Sequence, residues 1–103
     1  MVEVDERACG QVITLQAGRM CEIDLPENPT AGYRWTLTAD GASACALVSD
    51  IFTPANGTIG RDSRHRWRFQ AAQIGQGVIT LAYRRSWEQG EARRFTVSVH
   101  VVA

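Results

Sequence analysis

Apolar and polar residues alternate along much of this chain with a period of two. In residues 33–39, Tyr33, Trp35, Leu37 and Ala39 fall on one face, and Arg34, Thr36 and Thr38 on the other. In residues 64–71, His65, Trp67, Phe69 and Ala71 oppose Arg64, Arg66, Arg68 and Gln70. In residues 94–101, Phe95, Val97, Val99 and Val101 oppose Arg94, Thr96, Ser98 and His100. Successive side chains of a strand point to opposite faces, so this pattern predicts half-buried antiparallel strands with one face on a core. Weaker strand signals lie at Gln11–Gln16, Arg19–Leu25, Leu47–Thr53 and Val78–Tyr83, the last after the turn-rich Gly75-Gln76-Gly77. No stretch has the 3.6-residue period of a long amphipathic helix.

About seven or eight short strands at near-regular spacing predict an all-β, immunoglobulin-like sandwich, with a single domain over residues 1–103. The expected core is Ile13, Leu15, Cys21, Ile23, Leu25, Trp35, Leu37, Trp67, Phe69, Ile79, Leu81, Phe95, Val97 and Val99. Three connections are longer than simple turns: Pro26–Gly32, Pro54–Ser63 and Arg84–Ala92. With a short N-terminal strand and seven more, these are alternate connections and share one end of the sandwich, where such folds build binding surfaces.

Composition narrows the function. Of 103 residues, 45% are hydrophobic and 21% charged, which excludes wholesale disorder. Eleven basic residues, all arginine, balance eleven acidic ones. That balance argues against a nucleic-acid partner, and the Arg64, Arg66, Arg68 stripe is expected to be a solvated face paired with acids. Cys9, Cys21 and Cys45 cannot all pair, and no two have the spacing of a metal knuckle, so neither metal nor cofactor is expected. Cys21 reads as a small buried hydrophobe; pairing of Cys9 with Cys45 stays open. No run of about 18 apolar residues suggests a membrane helix. The opening MVEVDERACG lacks the features of a signal peptide, which leaves a cytosolic chain or a trimmed mature form.

The loops carry the candidate chemistry. Pro29 fixes one backbone dihedral and Gly32 permits a sharp turn, so Asn28-Pro29-Thr30-Ala31-Gly32-Tyr33 forms a stiff loop. The middle loop, with Asn56-Gly57 and Gly60, reads as a flexible hairpin. In Arg84-Arg85-Ser86-Trp87-Glu88, a tryptophan in a connection flanked by arginine has the composition of an interface hot spot. His65 shares a face with Trp67 and Phe69 and is expected to be a satisfied, buried histidine rather than a catalyst.

Together these residues resemble the chagasin-type inhibitors of papain-like cysteine peptidases. That family carries an NPTTGY-like motif, a glycine-containing loop and an RPW-like motif in this order, matched here by Asn28–Tyr33, Gly57–Gly60 and Arg85-Ser86-Trp87. Asp24-Leu25-Pro26-Glu27 before the first motif and Arg34-Trp35 after it extend the match. The resemblance implies an immunoglobulin-like sandwich that inhibits without chemistry, its three loops wedged into the peptidase cleft. Asn28, Pro29, Thr30, Ala31, Gly32 and Tyr33 would approach the catalytic pair. Gly57, Thr58, Ile59 and Gly60 would run along one side, and Arg85, Ser86 and Trp87 along the other, with Trp87 on an aromatic wall. Ala31 in place of a second threonine and Ser86 in place of the proline depart from the pattern and imply weaker or retuned inhibition. The resemblance also favours a monomer and a periplasmic or secreted location. The competing reading is a generic immunoglobulin-like binding or adhesion module with a non-peptidase partner.

Overall fold

The alternating segments pair into two four-stranded sheets. The structure is a computed structural model and describes residues 1–54 and 63–103. Its strands are β1 (Val2–Val4), β2 (Val12–Gln16), β3 (Met20–Pro26), β4 (Tyr33–Asp40), β5 (Cys45–Thr53), β6 (Arg64–Ala71), β7 (Gly75–Arg85) and β8 (Arg93–Val102). One sheet has the order β1-β3-β6-β5 and the other β2-β8-β7-β4. The helical segments described are single 3₁₀ turns, Glu6–Ala8 and Pro29–Ala31.

The inward parity of both sheets meets in one core. Trp67, Phe69, Phe95, Ile23, Leu25, Ile79 and Leu81 are almost completely buried there. Leu37, expected in that core, packs against it opposite Leu81 but is only half-buried, because β4 is an edge strand. Two further expectations change. The β1–β3 and β2–β8 pairs are parallel rather than antiparallel, and alternation along a single strand does not encode the direction of its neighbour. Gly75-Gln76-Gly77, read as a turn, begins β7 and pairs with Val99–Val101. Glycines leave no trace in a side-chain pattern, and Gly77 has a packing reason to be one: a Cβ there would overlap the Gly41 carbonyl.

Register places the loop roots. Pro26 at the end of β3 pairs with Arg64 at the start of β6, which pairs with Thr53 at the end of β5. Tyr33 pairs with Arg85, and Tyr83 with Arg93. The roots of all three predicted loops therefore lie at one end of the sandwich. Arg84 and Arg85, expected in the third loop, are the last residues of β7.

Candidate functional site

The central loop is built on a buried carboxylate. The inward series Cys21, Ile23, Leu25 continues to Glu27, which is 1% exposed. Its Oε1 accepts the backbone N–H of Trp35 at 2.8 Å and faces His65 Nδ1 at 3.0 Å. His65 Nε2 bonds Asp50 Oδ1 on the far side. The imidazole stacks on Trp67 at 4.0 Å between ring centroids. Burial works against the charged imidazole, but the hydrogen bonds to Glu27 and Asp50 outweigh it and raise His65 above its ordinary value of 6.5. Asp50, His65, Glu27 and Trp35 thus tie β5, β6, the end of β3 and β4 together beneath the loop. His65 is satisfied, as expected, though by two carboxylates and not by an apolar pocket alone.

Aromatic rings brace the same loop from the second sheet. Trp35 Nε1 donates to the Pro26 carbonyl at 2.8 Å, and the Tyr83 hydroxyl accepts the Asn28 N–H at 2.8 Å. Trp35 packs on Tyr83, Tyr83 stacks on Tyr33, and the Arg85 guanidinium lies 4.3 Å from the Tyr33 ring centroid. This column runs from the core to the loop end.

Above it, Asn28–Gly32 closes as a 3₁₀ turn. Thr30 Oγ1 donates to Asn28 Oδ1, and Gly32 ends the turn at φ 85°, in the left-handed region. Gly32 is doubly required, because a Cβ there would run into the Trp87 ring. Arg85 Nε donates to the Ala31 carbonyl at 3.0 Å, and its guanidinium also reaches Glu88. The first and third motifs are therefore one assembled tip. Thr30 and Ser86 are exposed on it, and Trp87 is 69% exposed although one side of its ring rests on Gly32. Asn28, Pro29, Tyr33 and Arg85 are half-buried and act as struts. Gly57, Thr58, Ile59 and Gly60 lie outside the described residues.

Parity gave His65 as inward-facing and, carried one step further, also points to Glu27, Tyr83 and Arg85. Residues 25 and 27, 65 and 67, and 81, 83 and 85 continue core-facing series, so Glu27, His65, Tyr83 and Arg85 turn inward just beyond the apolar core. The arginine stripe is neutralised as expected: Arg64 and Arg66 reach Asp24 at 2.9 and 3.4 Å, and Arg68 reaches Glu22 at 3.0 Å.

The model of the chagasin family of I42 peptidase inhibitors matches residues 14–101. Amoebiasin-1 of Entamoeba histolytica is 36% identical over 92 residues, covering 86% of this chain and 88% of its own. The chain belongs to the chagasin family of peptidase inhibitors. The fold is that of the family: the crystal structure of the Entamoeba histolytica cysteine protease inhibitor EhICP2 superposes with a TM-score of 0.87 at 24% identity, over 98% of this chain and 95% of that one. PbICP-C, solved in complex with falcipain-2, superposes at 0.69 with 15% identity over 99% and 98%. Of the segments that resemble the family's motifs, Asn28–Tyr33 and Arg85-Ser86-Trp87 are described, and both lie at the braced end.

Proposed function

We propose that this inhibitor blocks papain-like cysteine peptidases reversibly, by seating the loops at one end of its sandwich in the active-site cleft. The observation that carries the reading is the assembled tip: Arg85 bonded to Ala31, Trp87 seated on Gly32, and Thr30 and Trp87 left open to a partner. A tip already ordered in the free protein loses little entropy on binding. Thr30, Ala31 and Gly32 approach the catalytic cysteine and histidine, Trp87 and Ser86 meet one wall, and Gly57, Thr58, Ile59 and Gly60 meet the other. Asn28, Pro29, Tyr33 and Arg85 hold this shape from behind. Membership of a peptidase-inhibitor family favours this reading over an adhesion module.

Inhibition needs no chemistry from the chain. All three cysteines are free, and Cys21 and Cys45 are buried. Burial pushes the Cys21 thiol up to about 11, and burial with the nearby Asp40 charge raises Cys45. Both ring nitrogens of His65 are engaged by carboxylates. These features support a non-catalytic protein.

The test is competitive inhibition of a papain-like enzyme acting on a peptide substrate, repeated as direct binding to the same enzyme with its catalytic cysteine capped by a small alkyl group. Reversible inhibition and retained binding are expected. Failure against several such enzymes at micromolar concentration would overturn the proposal.

A further inference from the structure

Beside the tip, an open groove of about 500 Å³ is lined by Pro29, Trp87, Arg34, Arg84, Thr36 and Ser86. Antiparallel pairing of β4 with β7 sets Arg34 directly opposite Arg84. Side chains so paired start about 5 Å apart, and like charges there repel. Both residues are exposed, and neither has an ion-pair partner among the described residues. The Arg34 guanidinium lies over the Phe52 ring, 5.8 Å from its centroid, a contact that can orient it without cancelling its charge. The same chain answers other arginines with acids: Arg64 and Arg66 with Asp24, Arg68 with Glu22, Arg85 with Glu88 and Arg94 with Glu91. Two adjacent, unneutralised cations cost the free protein stability, and an arriving anion reverses that cost.

We infer that Arg34 and Arg84, with Trp87 as the adjoining apolar wall, dock an acidic rim of the target peptidase's cleft and bias the inhibitor towards peptidases that have one. The inference rests on the wedge reading above and deepens it. Pro29, Ser86 and Trp87 belong both to the tip and to the groove, so a peptidase seated on the tip brings its rim over β4 and β7. Guanidinium groups suit this task, since their fixed fork of donors grips a carboxylate in two places. Because the pair is exposed, it acts chiefly on the rate of association and on the choice of partner.

The experiment compares the parent with the Arg34→Ala/Arg84→Ala double variant against two papain-like peptidases, one with an acidic cleft rim and one with a basic rim. Against the acidic enzyme, the association rate should fall about tenfold. Its decline between about 0.05 and 0.5 M salt should also flatten. Against the basic enzyme, the variant should associate as fast or faster. Its melting temperature should stay level or rise, because repulsion is relieved; a merely structural pair would instead lower it and leave the salt slope alone. Parent-like rates and slopes against both enzymes would overturn this inference while leaving the wedge intact. A parent that inhibits neither enzyme would overturn both. Salt-dependent binding of a single-stranded oligonucleotide, lost in the variant while inhibition is unchanged, would assign the groove to a polyanion and overturn the docking surface.

Discussion

Two strand pairs of this sandwich, β3–β6 in one sheet and β4–β7 in the other, handle charge in opposite ways. On the β3–β6 face, strand register sets Glu22 opposite Arg68 and Asp24 opposite Arg66, and these pairs close at 3.0 and 3.4 Å. At its loop end, His65 stands between Glu27 and Asp50. On the β4–β7 face, register sets Arg34 against Arg84, and the neighbouring Trp87 is largely open to solvent. The first pair answers its arginines with acids, and through Glu27 and His65 its loop end holds the central loop in place. The second leaves Arg34 and Arg84 without an ion-pair partner among the described residues, beside the exposed Trp87. A row of arginines is thus no evidence of a binding surface by itself; the residue across the strand decides.

The contrast is tested most strongly at Glu27. Glu27→Ala strands the buried Trp35 N–H and removes one partner of His65, so unfolding in urea should show a loss of about 3 kcal/mol or more. A cost below about 1 kcal/mol would mean that the first sheet is not held by its acids. Next in size, Trp87→Ala should weaken inhibition by about 2 kcal/mol, roughly thirtyfold, with little change in melting temperature. Its exposure is the reason for expecting the two quantities to separate. A fall of about 10 degrees with inhibition retained would place Trp87 in the stabilising class instead.

A smaller effect should appear with pH. The folded pKa of His65 is raised, so its contribution is complete below the ordinary value of 6.5 and is lost as pH rises through the higher folded value. Melting temperatures measured from about pH 5.5 to 8.5 should decline on that account, and His65→Gln should flatten the decline. An unchanged profile in the variant would remove His65 as its source. Least of all, Arg68→Ala should cost about 1 kcal/mol: its guanidinium is half-exposed, although the Glu22 carboxylate it leaves behind is largely buried. It should leave inhibition and its salt dependence untouched. A salt slope altered by Arg68→Ala would erase the distinction between the two faces.

Much of this was legible in the chain. The period-two runs marked Trp35, Trp67, Phe69 and Phe95 as core, and the order of connections placed Thr30 and Trp87 at one end. Leu37 faces the core but is only half-buried, because a strand's place at the sheet edge leaves no mark on its own pattern. The start of β7 was misread because glycine carries no side chain to alternate. His65 was legible as an inward-facing, satisfied histidine; its partners Glu27 and Asp50 were not, because the contacts that satisfy it cross between strands.

The division follows from the reach of the forces involved. Alternation is imposed by backbone geometry from one residue to the next, so the sequence alone determines which face of each strand is buried, and hence a two-layer sandwich. Charge pairing depends on which residue stands across the strand. That is settled by register between segments far apart in the chain, and register is chosen by the packing of the whole core. Only the tertiary structure could therefore decide that Arg68 meets Glu22, that Arg85 braces Ala31, and that Arg34 meets Arg84 with no ion-pair partner for either among the described residues.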